Sequence, residues 1–370
     1  MSRLNELIRE LCPNGVEFKK LGDVCYILDY KRKPISKSKR NFGNYPYYGA
    51  NGIQDYIDDF LFDGTFLLIG EDGSVINKNN SPVLNWATGK IWVNNHAHVL
   101  SEMREIMLLR FLYFTLSETN ISDIVRGTPP KLNQENLRNI KLPVPPLDVQ
   151  NEIVRILDTF TSHTAELQAE LQAELQARKE QYEYYRNKLL TFDKDDKNVK
   201  WVKLEKIVVI KNGKDYKHLD IGNIPVYGSG GIMTYVDTYA YNKPTVLIPR
   251  KGSLNNLFYV DTPFWNVDTI FYTIVDTNKI IVKYLYYVLS KEHLENLNKA
   301  GGVPSLTQSI LNKIIIPIPS ISKQQNIVSI LDKFEALVND LTEGIPAEIA
   351  AVQEQYEYYR NKLLTFKQRA

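Results

Sequence analysis

Residues 180–192 read EQYEYYRNKLLTF, and residues 354–366 read EQYEYYRNKLLTF again, an identity of 13 residues at an offset of 174. A self-match at one fixed spacing marks a repeated structural unit. The offset carries back without a gap to Gly127 and Gly301. Over 127–160 against 301–334, 15 of 34 positions agree, among them Leu132/Leu306, Gln134/Gln308, Pro143/Pro317, Pro145/Pro319 and the ILD-x-F run ending at Phe160/Phe334. Further upstream the offset becomes 179, where NYPYYGANGIQDYID (44–58) matches NIPVYGSGGIMTYVD (223–237) at 8 of 15 positions. Between these islands, at 60–110 and 240–283, the halves scarcely match. Two modules share a frame and differ in the middle.

A chain of 370 residues outgrows one core, so a division into domains is expected on length alone. With 44% hydrophobic and 24% charged residues the composition is that of a soluble globular protein and excludes a disordered chain. Apolar runs reach only about five residues, far from the ~20 that cross a bilayer. The opening MSRLNELIREL is too charged for an export signal, and two cysteines, Cys12 and Cys25, suit a reducing cytoplasm. Net charge is +2, so binding to nucleic acid has to come from local basic patches.

Leu4, Leu7, Ile8 and Leu11 follow a helical spacing, which predicts a helix over 2–11 stopped by Pro13-Asn14-Gly15. From 16 to 110 short apolar runs such as TFLLIG (65–70) and KIWVNN (90–95) read as strands between turns, with TVLIP (245–249) as the second-half counterpart. Residues 106–117 and 281–300 read as helical. The segments LPVPP (142–146) and IPIPS (316–320) cannot be helix interior and mark the end of each module. A long helix follows each. In the first, Ile153, Ile156, Leu157, Phe160, Leu167, Leu171, Tyr182, Tyr185 and Leu189 keep an apolar stripe from 148 to 190, across three tandem AELQ copies at 165–176. The second repeats the stripe in Ile327, Ile330, Leu331, Phe334 and Leu341, broken at Gly344-Ile345-Pro346, where Pro346 opens a new helix. Two helices this long and amphipathic are expected to pack on each other.

No reaction is written in these residues. TPPK (128–131) lacks the Asn and aromatic of an amino-methylation motif, YGSGG (227–231) lacks a strand-then-helix setting, and no Walker loop is present. His96 and His98 point to one face of a strand but have no clear third ligand nearby in sequence, so neither a metal nor a catalytic residue is assigned.

Binding is better marked. YKRKPISKSKR (30–40) carries Lys31, Arg32, Lys33, Lys37, Lys39 and Arg40 with no acid, and KNGKDYKHL (211–219) carries Lys211, Lys214 and Lys217. Both lead into the same G-N-x-P-x-Y-G segment, and Lys and Arg beside Gly-rich turns suit phosphate contacts. Pro249-Arg250-Lys251-Gly252-Ser253 stands where the first half has Gly70-Glu71-Asp72-Gly73-Ser74. Arg250 has the donors to reach guanine, with Lys251 beside it, and Glu71 or Asp72 the acceptors for a cytosine amino group. Divergent loops on one frame suit two modules that read different sequences. Tyr184 and Tyr358 lie roughly 120° around the helix from the Tyr182/Tyr185 stripe and are candidate partner-docking residues.

Two variable modules alternating with near-identical helical segments that end in QYEYYRNKLL, the openings CPNGVEFKKLGDV (12–24) and VKWVKLEKI (199–207), and the tandem AELQ copies together resemble the DNA-specificity (S) subunit of type I restriction–modification systems, over essentially the whole chain. The resemblance implies an α+β protein: two globular α/β target-recognition domains joined by two long helices packed as an antiparallel coiled coil, with an internal pseudo-two-fold repeat. On this chain it implies an N-terminal helix at 1–15, recognition domains at 16–148 and 200–321, helical spacers at 149–192 and 322–366, and a linker at 193–199. It implies a cytoplasmic, non-catalytic subunit that binds double-stranded DNA, two methyltransferase (M) subunits and, in the full complex, two restriction (R) subunits. S-adenosylmethionine, ATP and Mg²⁺ would then belong to the partners. Competing classes are a coiled-coil scaffold with two protein-binding domains and an enzyme centred near His96 and His98.

Overall fold

The computed structural model describes residues 2–298, 304–339 and 344–369. The chain divides into two compact units, Met1–Gln168 with Ala351–Ala370, and Ala169–Ala350. No helix among the described residues is long and apolar enough to cross a membrane.

The first unit begins with helix Ser2–Leu11, and its sheet has six strands in the order Cys25–Ile27, Ala97–Glu102, Phe62–Gly70, Leu84–Val93, Phe42–Gly49, Gly52–Ile57. TFLLIG is apolar without alternation because both of its faces are covered. Leu67 and Ile69 pack with Phe111, Leu112 and Phe114 around helix Leu109–Ser117, while Phe66 and Leu68 join Ala87, Ile91 and Val99 in a separate cluster.

Among the described residues of the second unit the long strand Leu84–Val93 has no single counterpart. Phe258–Val260 pairs with Thr245–Pro249, Trp265–Asn266 pairs with Ile221–Gly228, and Asp261-Thr262-Pro263 lies between. Pro263 has no N–H and a fixed φ, so a central strand cannot run through it. One six-stranded sheet thereby becomes a four-stranded sheet (Val208–Asn212, Ile270–Val275, Thr245–Pro249, Phe258–Val260) and a three-stranded one (Gly231–Val236, Ile221–Gly228, Trp265–Asn266).

The shared frame is explicit elsewhere. The G-N-x-P segment makes the same bulge in each unit, with Phe42 and Tyr45 both opposite Ile57, and Ile221 and Ile224 both opposite Val236. A Cβ on Gly43 or Gly222 would come within 2.3 Å or 2.5 Å of the facing strand's backbone, so glycine is required there. The proline segments form two-stranded antiparallel pairs, Lys141–Val144 with Glu17–Lys20 and Ile315–Ile318 with Lys200–Lys203, where a proline displaces no second neighbour.

Gln150 and Gln324, both fully buried, tie each module to the start of its long helix. The Gln150 amide donates to the Ile106 and Pro145 carbonyls and accepts from the Leu108 N–H. Gln324 does the same with Lys279, Pro319 and Ile281. Each accepted N–H lies at the exposed-donor end of a helix, Leu109–Ser117 or Val282–Lys291, so the glutamine acts as a buried cap.

The predicted long helix is Leu147–Leu189, 43 residues. Its second-half counterpart is two helices, Ile321–Asn339 and Ile345–Leu364, with Pro346 in the first turn of the latter. In the first unit the pairing is antiparallel: Phe160 meets Tyr359, Thr161 hydrogen-bonds Tyr356, and Gln168 hydrogen-bonds Gln353. In the second, Tyr185 stacks on Phe334. The expected helix over 281–300 is shorter, Val282–Lys291 followed by a single tight turn at Leu294–Leu297, because His293 turns to a left-handed φ of 46°. Residues 299–303, including Gly301 of the repeat, lie outside the described residues.

Candidate nucleic-acid interface

The basic loop of the first unit does not present its charges uniformly. Lys31, Lys33, Lys37 and Lys39 are exposed. Arg32 and Arg40 turn inward. Arg32 pairs with Asp29 at 3.3 Å and Glu71 at 2.6 Å and donates to the Ala97 carbonyl; Arg40 pairs with Asp55 at 3.1 Å and lies over the Tyr47 ring at 4.1 Å. A guanidinium offers a fork of donors that can tie a loop down at several points, and a lysine does not. The two arginines shape the loop and the lysines face solvent.

Lys33 is held through its backbone. The Trp92 indole N–H donates to the Lys33 carbonyl at 2.6 Å, and the Lys33 N–H donates to the Val93 carbonyl at 3.2 Å. The second unit repeats this with different neighbours: Trp265 donates to the Lys214 carbonyl at 2.9 Å, and the Lys214 N–H to the Asn266 carbonyl at 2.8 Å. Both tryptophans are buried, and both lysine side chains are exposed, as are Lys211 and Lys217. Sequence comparison at a fixed offset misses these clamps. The tryptophans are 173 residues apart and the lysines 181, so no one alignment register contains both pairs.

The second loop pair is superposable in its bonding and opposite in charge. Leu132 N–H donates to the Glu71 carbonyl and Leu306 N–H to the Arg250 carbonyl, both at 2.8 Å. Gly73 N–H donates to the Pro130 carbonyl and Gly252 N–H to that of Pro304. On this common backbone Glu71 is only 14% exposed, held by Arg32 and Lys131, and Asp72 hydrogen-bonds the His96 ring. Arg250 lies over the Phe271 ring with one N–H reaching the Asp268 carbonyl, and Lys251 is exposed.

His98 is fully buried, its Nδ1 2.6 Å from Asp29 and its Nε2 donating to the Leu132 carbonyl at 2.8 Å. The two histidines of the His96-Ala97-His98 motif thus part company. His98, Asp29 and Glu71 bring their ligand atoms within 4.8 Å of one another, the third ligand the sequence did not reveal. The same atoms are already engaged by Arg32, Lys131, Gln134 and the Leu132 carbonyl, which makes the cluster a closed ionic network under the loop. Burial works against the Asp29 charge, but hydrogen bonds from His98 and the Val99 N–H, with the Arg32 charge, outweigh it and hold the carboxyl below its ordinary range. In the second unit Asn212, opposite Phe271 at the end of its strand, stands where the first unit has Asp29 beside His98 just past strand Cys25–Ile27, and Gln308 bonds Asn212 as Gln134 bonds Asp29.

Tyr184 and Tyr358 stand on the helices at matching exposure, 59% and 60%, each edge-on to the next tyrosine and each beneath a lysine, Lys188 or Lys362.

A family model described as the type I restriction modification DNA specificity domain matches the chain twice, over residues 13–177 and 196–351. The chain belongs to this family. A putative type I restriction enzyme specificity subunit of Haemophilus influenzae, S.HindORF215P, is 39% identical, with 95% of this chain and 96% of the relative covered. The EcoR124I/EcoR124II specificity subunit of Escherichia coli is 30% identical over 85% of this chain and 89% of its own. In fold, the chain resembles one solved in work on complex assembly and conformational transition of the type I restriction–modification system, with a TM-score of 0.68 at 15% identity, covering 95% and 98% of the two chains. It also resembles the HsdS subunit of Thermoanaerobacter tengcongensis, with a TM-score of 0.57 at 16% identity and coverage of 96% and 97%. The protein is a specificity subunit, the non-catalytic DNA-recognition component of such a system, and the two matched stretches are its two repeated specificity domains. Within this specificity subunit the loops at 70–74 and 249–253 differ in charge and share two backbone hydrogen bonds.

Proposed function

We propose that each unit of this specificity subunit reads one half of a split, asymmetric DNA site, and that the long helices set the spacing between the halves. The observation that carries this reading is the loop pair Gly70–Ser74 and Pro249–Ser253. The two backbone hydrogen bonds that tie each loop to its module recur, while Glu71 and Asp72 are exchanged for Arg250 and Lys251. A fixed scaffold with inverted chemistry is what two readers of different base sequences require. Lys31, Lys33, Lys37, Lys39, Lys211, Lys214 and Lys217 supply phosphate contacts, with Arg32 and Arg40 shaping the loop that carries four of them. Arg250 has the donors for a guanine edge.

The subunit associates with two methyltransferase subunits and, in the full assembly, two restriction subunits. S-adenosylmethionine, ATP and Mg²⁺ act on those partners, and this chain contributes recognition. Tyr184 and Tyr358, identical in sequence, exposure and neighbours, are the docking residues for two copies of one partner. The test is co-expression with the methyltransferase subunit followed by mapping of methylated sites. The expected result is a two-part motif with an unspecified spacer, and loss of methyltransferase from the purified complex when Tyr184 and Tyr358 are both changed to alanine. A continuous, undivided motif, or full retention of the partner by the double variant, overturns the corresponding part.

A further inference from the structure

The two basic loops share almost nothing. Around Lys33 the sequence is Lys31-Arg32-Lys33-Pro34-Ile35, and around Lys214 it is Asn212-Gly213-Lys214-Asp215-Tyr216. Arg32 on one side of the clamp is drawn into the ionic network, and its counterpart is a glycine. Yet at the one point where each loop is fixed by an indole N–H and a strand carbonyl, both modules carry a lysine with its side chain in solvent. The clamp itself touches only backbone, so it would accept other residues at that point. The coincidence lies in the side chain.

A charged side chain that recurs where its surroundings diverge has to meet something common to both half-sites. The base sequences differ; the sugar–phosphate backbone does not. We infer that Lys33 and Lys214 are the equivalent phosphate-contacting residues that set the register of each module on DNA, and that Trp92 and Trp265 are their positioning residues. This rests on the reading of each unit as a DNA half-site reader, and it singles out one lysine from each basic loop. The mechanism is mechanical. A lysine on a free loop would have to be ordered on binding, whereas two backbone hydrogen bonds to a buried strand hold its origin before DNA arrives. The remaining lysines, Lys211 on its strand included, lack the indole N–H clamp that recurs in both modules, and they add attraction without fixing register.

The test uses the subunit assembled with its methyltransferase partners and a mixed-sequence DNA duplex, whose affinity is followed against salt. Lys33→Ala and Lys214→Ala should each flatten the log K against log[salt] slope by about 0.9, the effect of one lost phosphate contact, and Lys→Arg at either position should restore it. Trp92→Phe keeps the ring and loses the N–H. It should weaken binding several-fold alone and add nothing to Lys33→Ala, since a positioning residue acts only through the residue it positions. Additive losses would overturn the positioning role. Unchanged slopes for both lysine variants, in a complex whose wild type still binds DNA with strong salt dependence, would overturn the register assignment and leave half-site reading intact. A wild-type complex that showed no salt-dependent DNA binding would instead sink the reading on which the inference stands. The two lysine variants alter solvent-exposed side chains, so they decide the matter even if the tryptophan variant fails to fold.

Discussion

Tyr185 stacks on Phe334 with ring centroids 5.4 Å apart and planes 21° from parallel, and the same two positions one repeat away, Tyr359 and Phe160, meet at 6.1 Å. The aromatic face of each EQYEYYRNKLLTF copy therefore completes the helix that belongs to the other repeat. Its last apolar residues go further in. Leu190 and Phe192 enter the core of the second unit, and Leu364 and Phe366 enter the core of the first, where Phe366 lies edge-on to Phe111. The final residues pair with Val16, so the unit that starts the chain also finishes it.

Leu364→Ala should accordingly destabilise the first unit, and Leu190→Ala the second, each by roughly 2–5 kcal/mol for a buried leucine. Hydrogen exchange resolves the two. Protection should fall in Glu17–Lys20 and Leu109–Ser117 for the first variant, and in Lys200–Lys203 and Val282–Lys291 for the second. Equal loss in both units from either variant would contradict the assignment.

Gln150 and Gln324, fully buried, each serve three backbone partners. Gln150→Leu keeps the bulk and orphans one N–H and two carbonyls. At roughly 1–3 kcal/mol for each unsatisfied buried group, the variant should lose several kcal/mol in urea unfolding. Near-neutral behaviour would show that water replaces the amide.

Asp29 gives the first unit an acid limit. Its folded pKa is depressed, so its contribution is complete above the unfolded value, about 3.9, and is lost as pH falls through the lower folded value. Asp29→Asn should cost stability at neutral pH, with the gap to wild type closing below about pH 4. Asn212 already stands at the matching position of the second unit. A gap that stayed constant with pH would remove the carboxylate from the account.

Much of this was legible in the sequence, because repeats leave identities and helices leave periodicity. The long helix, the break before Ile345, the proline-marked module ends and the correspondence of residues 70–74 with 249–253 are all matters of local pattern. Exposure of Tyr184 and Tyr358 followed from helix geometry alone. What the sequence did not show is long-range pairing with no fixed offset. Arg32 looks like its basic neighbours until Glu71 and the Ala97 carbonyl are brought to it from other parts of the chain, beside Asp29 three residues away. The tryptophan clamps escape for the same reason, and the split sheet hinges on one residue, Pro263, inside a stretch where the halves had stopped matching.

The AELQ array is predicted to act as a ruler. Each copy adds four residues, about 6 Å of rise and one turn plus about 40° of rotation. One base pair turns DNA by about 35° and rises 3.4 Å, so rise suggests nearly two base pairs per copy and rotation suggests one. A module must face its groove as well as reach it, and DNA stretches or bends slightly at modest cost. Rotation therefore decides. Deleting Ala165–Gln168 should shorten the spacer of the methylated motif by one base pair and leave both half-sites unchanged. An unchanged spacer would reduce the array to a solvated helix.

The central claim, two modules that read independently on one frame, is tested most directly by exchanging residues 16–148 for those of another specificity subunit and mapping methylated sites genome-wide. The account predicts that one half of the motif changes to the donor's while the other half keeps its sequence. A motif in which both halves change together would contradict it.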